Sequence, residues 1–158
     1  MDEPDLFTWL QHWRWNSGHE AQAAQAMHQV EPLALQVGDA WMALSPTPQA
    51  DVIRVDVLIE PVLEHEVAPW ICEELLRWSF SHPYASDGLQ FALAPDGALV
   101  ACAQLALEPG MEAPEVEEQL METAEQVNEA WTLIMADALL QAYRAEQAPT
   151  AGQGSLAV

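Results

Sequence analysis

The sequence predicts an α+β domain, with a twisted, mainly antiparallel five-stranded sheet and three main helices in the order α-β-β-β-α-β-β-α. Three segments have apolar residues three and four apart, and five others alternate apolar with polar or small residues. Two tight turns, at Gly38-Asp39 and Pro95-Asp96-Gly97, join neighbouring strands, which makes those pairs antiparallel. The 158 residues suit one domain. We expect it to span residues 1–147, before a flexible, small and polar tail at 148–158.

The first helix is expected from Asp5 to Trp15, with Asp2 or Asp5 as its cap and Asn16-Ser17-Gly18 as its end. Its apolar stripe consists of Leu6, Trp9, Leu10 and Trp13. The Ala- and Gln-rich stretch from His19 to His28 could be a second short helix or a continuation after a break, because its composition favours helix but its apolar face is weak.

Three strands are expected next. The first carries Leu33, Leu35 and Val37, and the second runs from Ala40 to Ser45 with Trp41, Met42 and Leu44. The third has the clearest alternation: one face carries Ile53, Val55, Val57 and Ile59, and the other Arg54, Asp56 and Glu60 together with Val52 and Leu58. This pattern predicts a sheet with one face buried.

The second half of the chain repeats the change from helix to strand. A helix is expected from about His65 to Phe80, with Pro69 tolerated in its first turn and Pro83 closing it. Its apolar residues are Val67, Ile71, Leu75 and Trp78. The fourth strand carries Leu89, Phe91 and Leu93, and the fifth runs from Ala98 to Leu107.

The last helix is expected from Pro114 to roughly Arg144, about 45 Å at 1.5 Å per residue. Its predicted seam consists of Val116, Leu120, Ala124, Val127, Trp131, Ile134 and Ala138. The many glutamates in its first half suit the positive end of the helix dipole and a solvated face.

The charge is strongly one-sided. There are 25 Asp and Glu against four Arg and no Lys, and the formal net charge is −21. Nucleic acid and anionic membranes are normally captured by Lys and Arg clusters, so both are unexpected partners, whereas a basic or uncharged protein fits. The charge could instead serve only solubility, or mark a salt-loving host. No apolar run could span a bilayer, and the acidic start is unlike a secretory signal, so we expect a cytoplasmic protein without membrane insertion.

Catalytic, metal and nucleotide motifs are missing from the sequence. Five scattered histidines form no zinc-type pair, and the glycines are too few and too separated to cradle a phosphate. Cys72 and Cys102 are expected to be small buried hydrophobic residues and neither a disulfide nor a metal site. We therefore expect no cofactor and no enzymatic activity.

Tryptophan usage is more informative. Trp9, Trp13, Trp15 and Trp41 lie outside the two longest predicted helices, and one small core cannot easily bury all of them. They could be core residues, or some could face a partner protein, since aromatic side chains are typical interface anchors.

The element order and one segment carry a family resemblance. The segment Leu89-Gln-Phe-Ala-Leu-Ala-Pro-Asp-Gly-Ala-Leu-Val-Ala-Cys-Ala-Gln-Leu-Ala-Leu107, with the following amphipathic helix and Trp131, resembles the class I type III secretion chaperones, the Tir-chaperone-like family. The resemblance covers roughly residues 5–145. It implies a dimeric, cytoplasmic bacterial chaperone that keeps the N-terminal region of a secreted effector extended and secretion-competent and hydrolyses nothing.

The resemblance also implies two surfaces. A homodimer would form around the second helix and fourth strand, here Trp70, Ile71, Leu75, Trp78, Leu89, Phe91 and Leu93. An effector groove would form from the first helix and first strands, here Leu6, Phe7, Leu10, Trp13, Leu33, Leu35, Val37 and Trp41. The alternative is a regulatory protein of the same fold that binds a transcription or secretion regulator, and a small enzyme is a third hypothesis.

Overall fold

A computed structural model of the chain describes residues 5–17, 30–59, 67–82 and 88–149, with the side chains of residues 15–17 excepted. The predicted helix at His19–His28, Pro83 and almost all of the predicted tail lie outside the described residues, as does the side chain of Trp15.

The described residues confirm the predicted α+β class and element order. The elements are α1 (Leu6–Ser17), β1 (Leu33–Val37), β2 (Ala40–Pro46), β3 (Val52–Ile59), α2 (Ala68–Ser81), β4 (Gln90–Leu93), β5 (Leu99–Ala106) and α3 (Ala113–Gln147). Pro69 lies in the first turn of α2, as expected for a residue without a backbone N–H. The helix α3 has 35 residues and is about 52 Å long, somewhat longer than predicted.

The five strands form one antiparallel sheet in the order β1-β2-β3-β5-β4. Gly38, with φ of 59°, opens the two-residue turn between β1 and β2, where a side chain would be strained. The longest pairing joins β3 to β5, from Val52 opposite Ala106 to Ile59 opposite Leu99. Because β5 pairs with β3 on one side and with β4 on the other, β4 lies at the far edge of the sheet.

One face of the sheet, which we call the inner face, forms the core. The four apolar residues predicted on one face of β3 are all buried there, Ile53, Val55, Val57 and Ile59. Trp9, Leu10 and Trp13 of α1 and Val116 and Leu120 of α3 belong to the same cluster. The opposite, outer face carries Arg54 and Leu58, which are exposed. The prediction of a half-buried sheet is therefore confirmed.

The long helix α3 makes two different contacts along its length. Val116, Leu120 and Val127 pack in the sheet core, whereas Ile134 and Ala138 are buried outside that cluster. The helix α2 packs chiefly against α3.

The buried seam of α3 differs from the predicted one at two positions. Thr123 and Ala130 are buried, while Ala124 and Trp131 are only partly buried. Thr123 tolerates burial because its hydroxyl donates to the Gln119 carbonyl at 2.8 Å.

Hydrogen bonds hold α1 in place. The Asp5 carboxylate caps the helix by accepting from the Thr8 N–H at 2.7 Å, and this bond lowers the pKa of Asp5. The Trp9 indole donates to the Glu31 carbonyl at 2.9 Å, just before β1. Arg14 donates to the Met111 carbonyl, just before α3. The helix is therefore tied to the entrances of both β1 and α3.

Candidate partner-binding site

Among the described residues, the strand β1 lies at one edge of the sheet. Within the described part of the chain it pairs with β2 alone, from Leu33 opposite Leu44 to Val37 opposite Ala40. The pair that closes a two-residue hairpin is hydrogen-bonded, and antiparallel pairs alternate between bonded and non-bonded. This alternation directs the backbone N–H and C=O groups of Ala34 and Gln36 away from β2. The free edge therefore presents donors and acceptors in the pattern that an added strand requires.

Apolar surface accompanies this edge. The helix α1 contacts β1, and on this helix Phe7 is 57% exposed while Leu6 is partly buried. Leu35, in the middle of β1, is also only partly buried, although its neighbours on the same face, Leu33 and Val37, are 3% and 4% exposed. We call Leu6, Phe7, Leu35 and the free backbone edge of β1 the β1 edge site.

The predicted partner-binding residues divide into three groups. Four of them are core residues of the single chain, Leu10, Trp13, Leu33 and Val37. Three contribute to the β1 edge site, Leu6, Phe7 and Leu35. The eighth, Trp41, is 52% exposed but lies on the outer face, because its neighbour Met42 points into the core. The four core residues pack beneath the β1 edge site on the inner face of the sheet. Trp41 lies on the opposite face of the sheet.

The predicted dimer residues are mostly involved in packing within the chain. Ile71 is 1% exposed and Leu89 is 8% exposed, and Trp70 is partly buried. Leu75, Trp78 and Phe91 pack against the core from its margin. Leu93 is 73% exposed.

Aromatic contacts join the elements that carry these residues. The Trp78 ring meets Phe91 edge-on, with centroids 5.1 Å apart, and Phe91 lies 6.4 Å from Trp131. The three rings connect α2 to β4 and β4 to α3. They therefore fix α2 relative to the edge of the sheet formed by β4.

A second stripe on α2 was missed by the sequence reasoning. Leu76 and Phe80 are 73% and 85% exposed, and Cys72, one turn before Leu76, is exposed too. The prediction that Cys72 is buried is wrong, because it lies on the outward face of α2, away from Ile71. We call Cys72, Leu76 and Phe80 the α2 outer stripe. Their spacing of four residues is the signal that could have found them, but the spacing of Ile71, Leu75 and Trp78 indicates a different face of the helix.

Ion pairs border the α2 outer stripe. Arg77 pairs with Glu73 one turn before it and with Glu74 at 3.0 Å. Glu74 is nearly buried, so this pair satisfies its carboxylate on the side of α2 that faces the protein. The helix α2, which carries the stripe, is thus stabilised by its packing against α3 and by the ion pairs of Arg77.

Cys102 of β5 lies opposite Asp56 of β3. Burial and the neighbouring Asp56 carboxylate raise its pKa from the ordinary 9.0 to about 11. The Arg54 guanidinium, 3.4 Å from the sulfur, opposes this shift only in part, because Arg54 also donates to Asp56 at 2.8 Å. A thiol with such a pKa stays protonated at neutral pH and is a poor nucleophile.

The described residues contain neither a metal-binding cluster nor a membrane-spanning helix. In residues 5–17, 30–59, 67–82 and 88–149, no three His, Cys, Asp or Glu side chains come together in a way that could hold a metal ion. No helix within these same ranges combines the length and apolar character needed to cross a bilayer.

Comparison with known proteins adds no family. Neither the protein-family models nor the curated protein sequences give a match to this chain.

Proposed function

We propose that the chain is a type III secretion chaperone that binds the N-terminal region of an effector in the bacterial cytoplasm and keeps it extended and secretion-competent. The observation that carries the proposal is that β1 is an edge strand among the described residues, with the partly exposed Leu35 on the strand itself and the exposed Phe7 on α1, the helix that contacts β1. The resemblance of the sequence to the Tir-chaperone-like family supports the choice of an effector as the partner. No cofactor and no catalytic step are needed.

The proposed mechanism is strand addition. An extended effector segment aligns beside β1 and exchanges backbone hydrogen bonds with Ala34 and Gln36. Side chains of that segment that point to the inner face then meet Leu35 and the exposed part of α1. Backbone bonding accepts many sequences, so specificity comes from the apolar side chains. This mode holds a segment in an extended form, as passage through a secretion channel requires.

The charge of the chain suits this role. With a net charge of −21 and no Lys, the chaperone attracts segments that carry Lys or Arg. The same charge disfavours nonspecific association between chaperone molecules. Charge speeds encounter and keeps the complex dispersed, whereas apolar contact and strand pairing determine how long it lasts.

We also propose that the chaperone is a homodimer that buries the α2 outer stripe. Leu76 and Phe80 together with Leu93 of β4 are large apolar side chains, each at least 73% exposed in the single chain. Exposed apolar residues on neighbouring elements mark association surfaces. A two-fold interface brings the same surface of each copy together, so the apolar stripe of one copy would pack against the apolar stripe of the other. The resemblance supports the same helix and strand.

Co-expression tests the function. The chain is produced with each secreted protein encoded beside its gene, and complexes are purified by size and identified by mass spectrometry. A complex with the N-terminal region of a secreted protein supports the proposal. Capture of a transcription or secretion regulator instead supports the alternative function, and failure to bind any of them contradicts both.

Hydrogen exchange on the purified complex then tests the site. The amides of Ala34 and Gln36 exchange freely in the unbound chain if the edge is open, and strand addition slows both. Unchanged exchange at both amides in a complex of verified stoichiometry contradicts the β1 edge site, even if the chaperone function holds.

A further inference from the structure

The outer face of the sheet carries an apolar row that crosses four strands. Leu58 of β3 pairs with Val100 of β5, and Val100 pairs with Ala92 of β4. On the other side of Leu58, the register of Met42 with Val57 places Trp41 of β2 at the same level. Trp41 and Leu58 are 52% and 42% exposed, and Ala92 is exposed. With strands about 4.8 Å apart, the row is about 14 Å long.

Carboxylates border this row. It lies at the end of the sheet where two turns meet solvent, the β1–β2 turn with Asp39 and the β4–β5 turn with Asp96, and both aspartates are exposed. Within the described chain, Arg54 is the basic side chain of the outer face, and it lies four residues from Leu58 and bonds Asp56 at 2.8 Å. An apolar centre with acidic ends is complementary to an apolar side chain flanked by Lys or Arg.

The backbone decides the conformation of the partner. Trp41, Leu58 and Val100 lie on strands that are paired on both sides, so their backbone groups are used within the sheet. An extended segment laid on this face would leave its own N–H and C=O groups without partners from the protein. A helix satisfies those groups internally, and a helix packed on a sheet is a standard layer arrangement.

We infer that the row Trp41–Leu58–Val100–Ala92 is a docking site for a basic amphipathic helix of a partner protein. About ten helical residues, or about 15 Å, match the length of the row. The apolar face of the helix covers Trp41 and Leu58, and its Lys or Arg residues lie near Asp39 and Asp96. This site goes beyond the proposed function: it is on the face opposite α1, and it binds a helix where the β1 edge site binds a strand.

Two peptides and two variants that each add one positive charge test the inference on the full chain. The probe is a 14-residue amphipathic helix of Leu and Lys, and its control is the same peptide with Glu in place of Lys. The variants are Leu58→Lys on the row and Leu133→Lys on the outward face of α3, where Leu133 is 64% exposed. Both variants change the net charge equally, so they separate docking on the row from attraction by overall charge.

Calorimetry should show that Leu58→Lys weakens binding of the Leu/Lys peptide by about tenfold or more, while Leu133→Lys changes it less than about twofold. The Leu/Glu peptide should not bind. Equal effects of the two variants would mean attraction by overall charge, a larger effect of Leu133→Lys would place the helix on α3, and binding of the Leu/Glu peptide would remove the electrostatic argument. Each of these three results overturns the inference.

Folding is checked by thermal unfolding. If Leu58→Lys is not folded, Trp41→Ala, at a side chain half exposed to solvent, replaces it, with the same expected loss of binding. A folded Trp41→Ala variant that binds the Leu/Lys peptide as the parent chain does overturns the inference too.

Discussion

Leu33 at the start of β1 lies directly opposite Leu44 of β2, and the two side chains are 3% and 0% exposed. The strand that carries the proposed binding edge is therefore also part of the core. A polar substitution at Leu33 would remove binding by unfolding the domain, and it would not identify a contact with a partner.

We predict that Leu33→Ala lowers the free energy of unfolding by about 2 to 5 kcal/mol, because it leaves a cavity beside Leu44. The matched control is Leu76→Ala on the α2 outer stripe, which is 73% exposed and should change stability by no more than about 0.5 kcal/mol in the monomer. Urea denaturation measures both variants, at a concentration low enough to dissociate a dimer. A similar small loss for both would contradict the assignment of Leu33 to the core.

The proposed dimer has a mass of about 35 kDa, twice the 17.4 kDa of the chain. We predict that Phe80→Asp converts it to a monomer, because a charge would be buried in the interface that the α2 outer stripe forms. Light scattering at micromolar concentration measures the mass. Glu117→Gln, at an exposed position of α3, is the control and should leave the dimer intact. A monomeric parent chain would contradict the dimer.

The thiol of Cys72 reports the same association. Cys72 is exposed in the single chain, so the dimer should protect it from a thiol reagent and Phe80→Asp should restore its reactivity. Equal labelling of Cys72 in the parent and in Phe80→Asp would show that the α2 outer stripe is not at the interface, even if the chain is dimeric through another surface.

Cys102 should respond to pH differently from a free cysteine. Burial and Asp56 raise its pKa to about 11, so we predict that its alkylation rate reaches half its maximum near pH 11 and not near 9.0. A raised thiol pKa means that the folded state favours the protonated form, so the contribution to stability is present below pH 9 and is lost between pH 9 and 11. Alkylation of a Cys72→Ser variant at increasing pH measures this. A midpoint near 9.0 would contradict the buried environment.

Most of the fold could be predicted because its signals are local. The alternation of Ile53, Val55 and Val57 fixed which face of β3 is buried, and the Gly38-Asp39 turn fixed the pairing of β1 with β2. The pairing of β3 with β5 could not be predicted in the same way, because α2 and β4 separate the two strands and no local pattern specifies a partner so distant. This non-local pairing is what leaves β1 at an edge.

The candidate site was less predictable than the fold. Trp13 and Phe7 both lie on the first helix and both are aromatic, yet Trp13 is 4% exposed and Phe7 is 57% exposed. Helical spacing places Phe7 off the stripe that contains Trp13, but the aromatic character that both residues share does not show which of them faces a partner. Trp41 shows a similar limit, because alternation separates it from Met42 and Leu44 but does not show which of the two faces is the core.

The most direct measurement compares two variants at Gln36 for their affinity to the partner segment that the proposed co-expression experiment identifies. Gln36→Pro removes the outward N–H and places a ring at the free edge, where a proline is tolerated by the sheet itself. Gln36→Ala removes the side chain and keeps the N–H.

If a strand is added to β1, calorimetry should show that Gln36→Pro loses affinity by about tenfold or more, while Gln36→Ala binds within about twofold of the parent. Circular dichroism confirms that both variants are folded. A folded Gln36→Pro variant that binds the segment as tightly as Gln36→Ala would contradict the central claim.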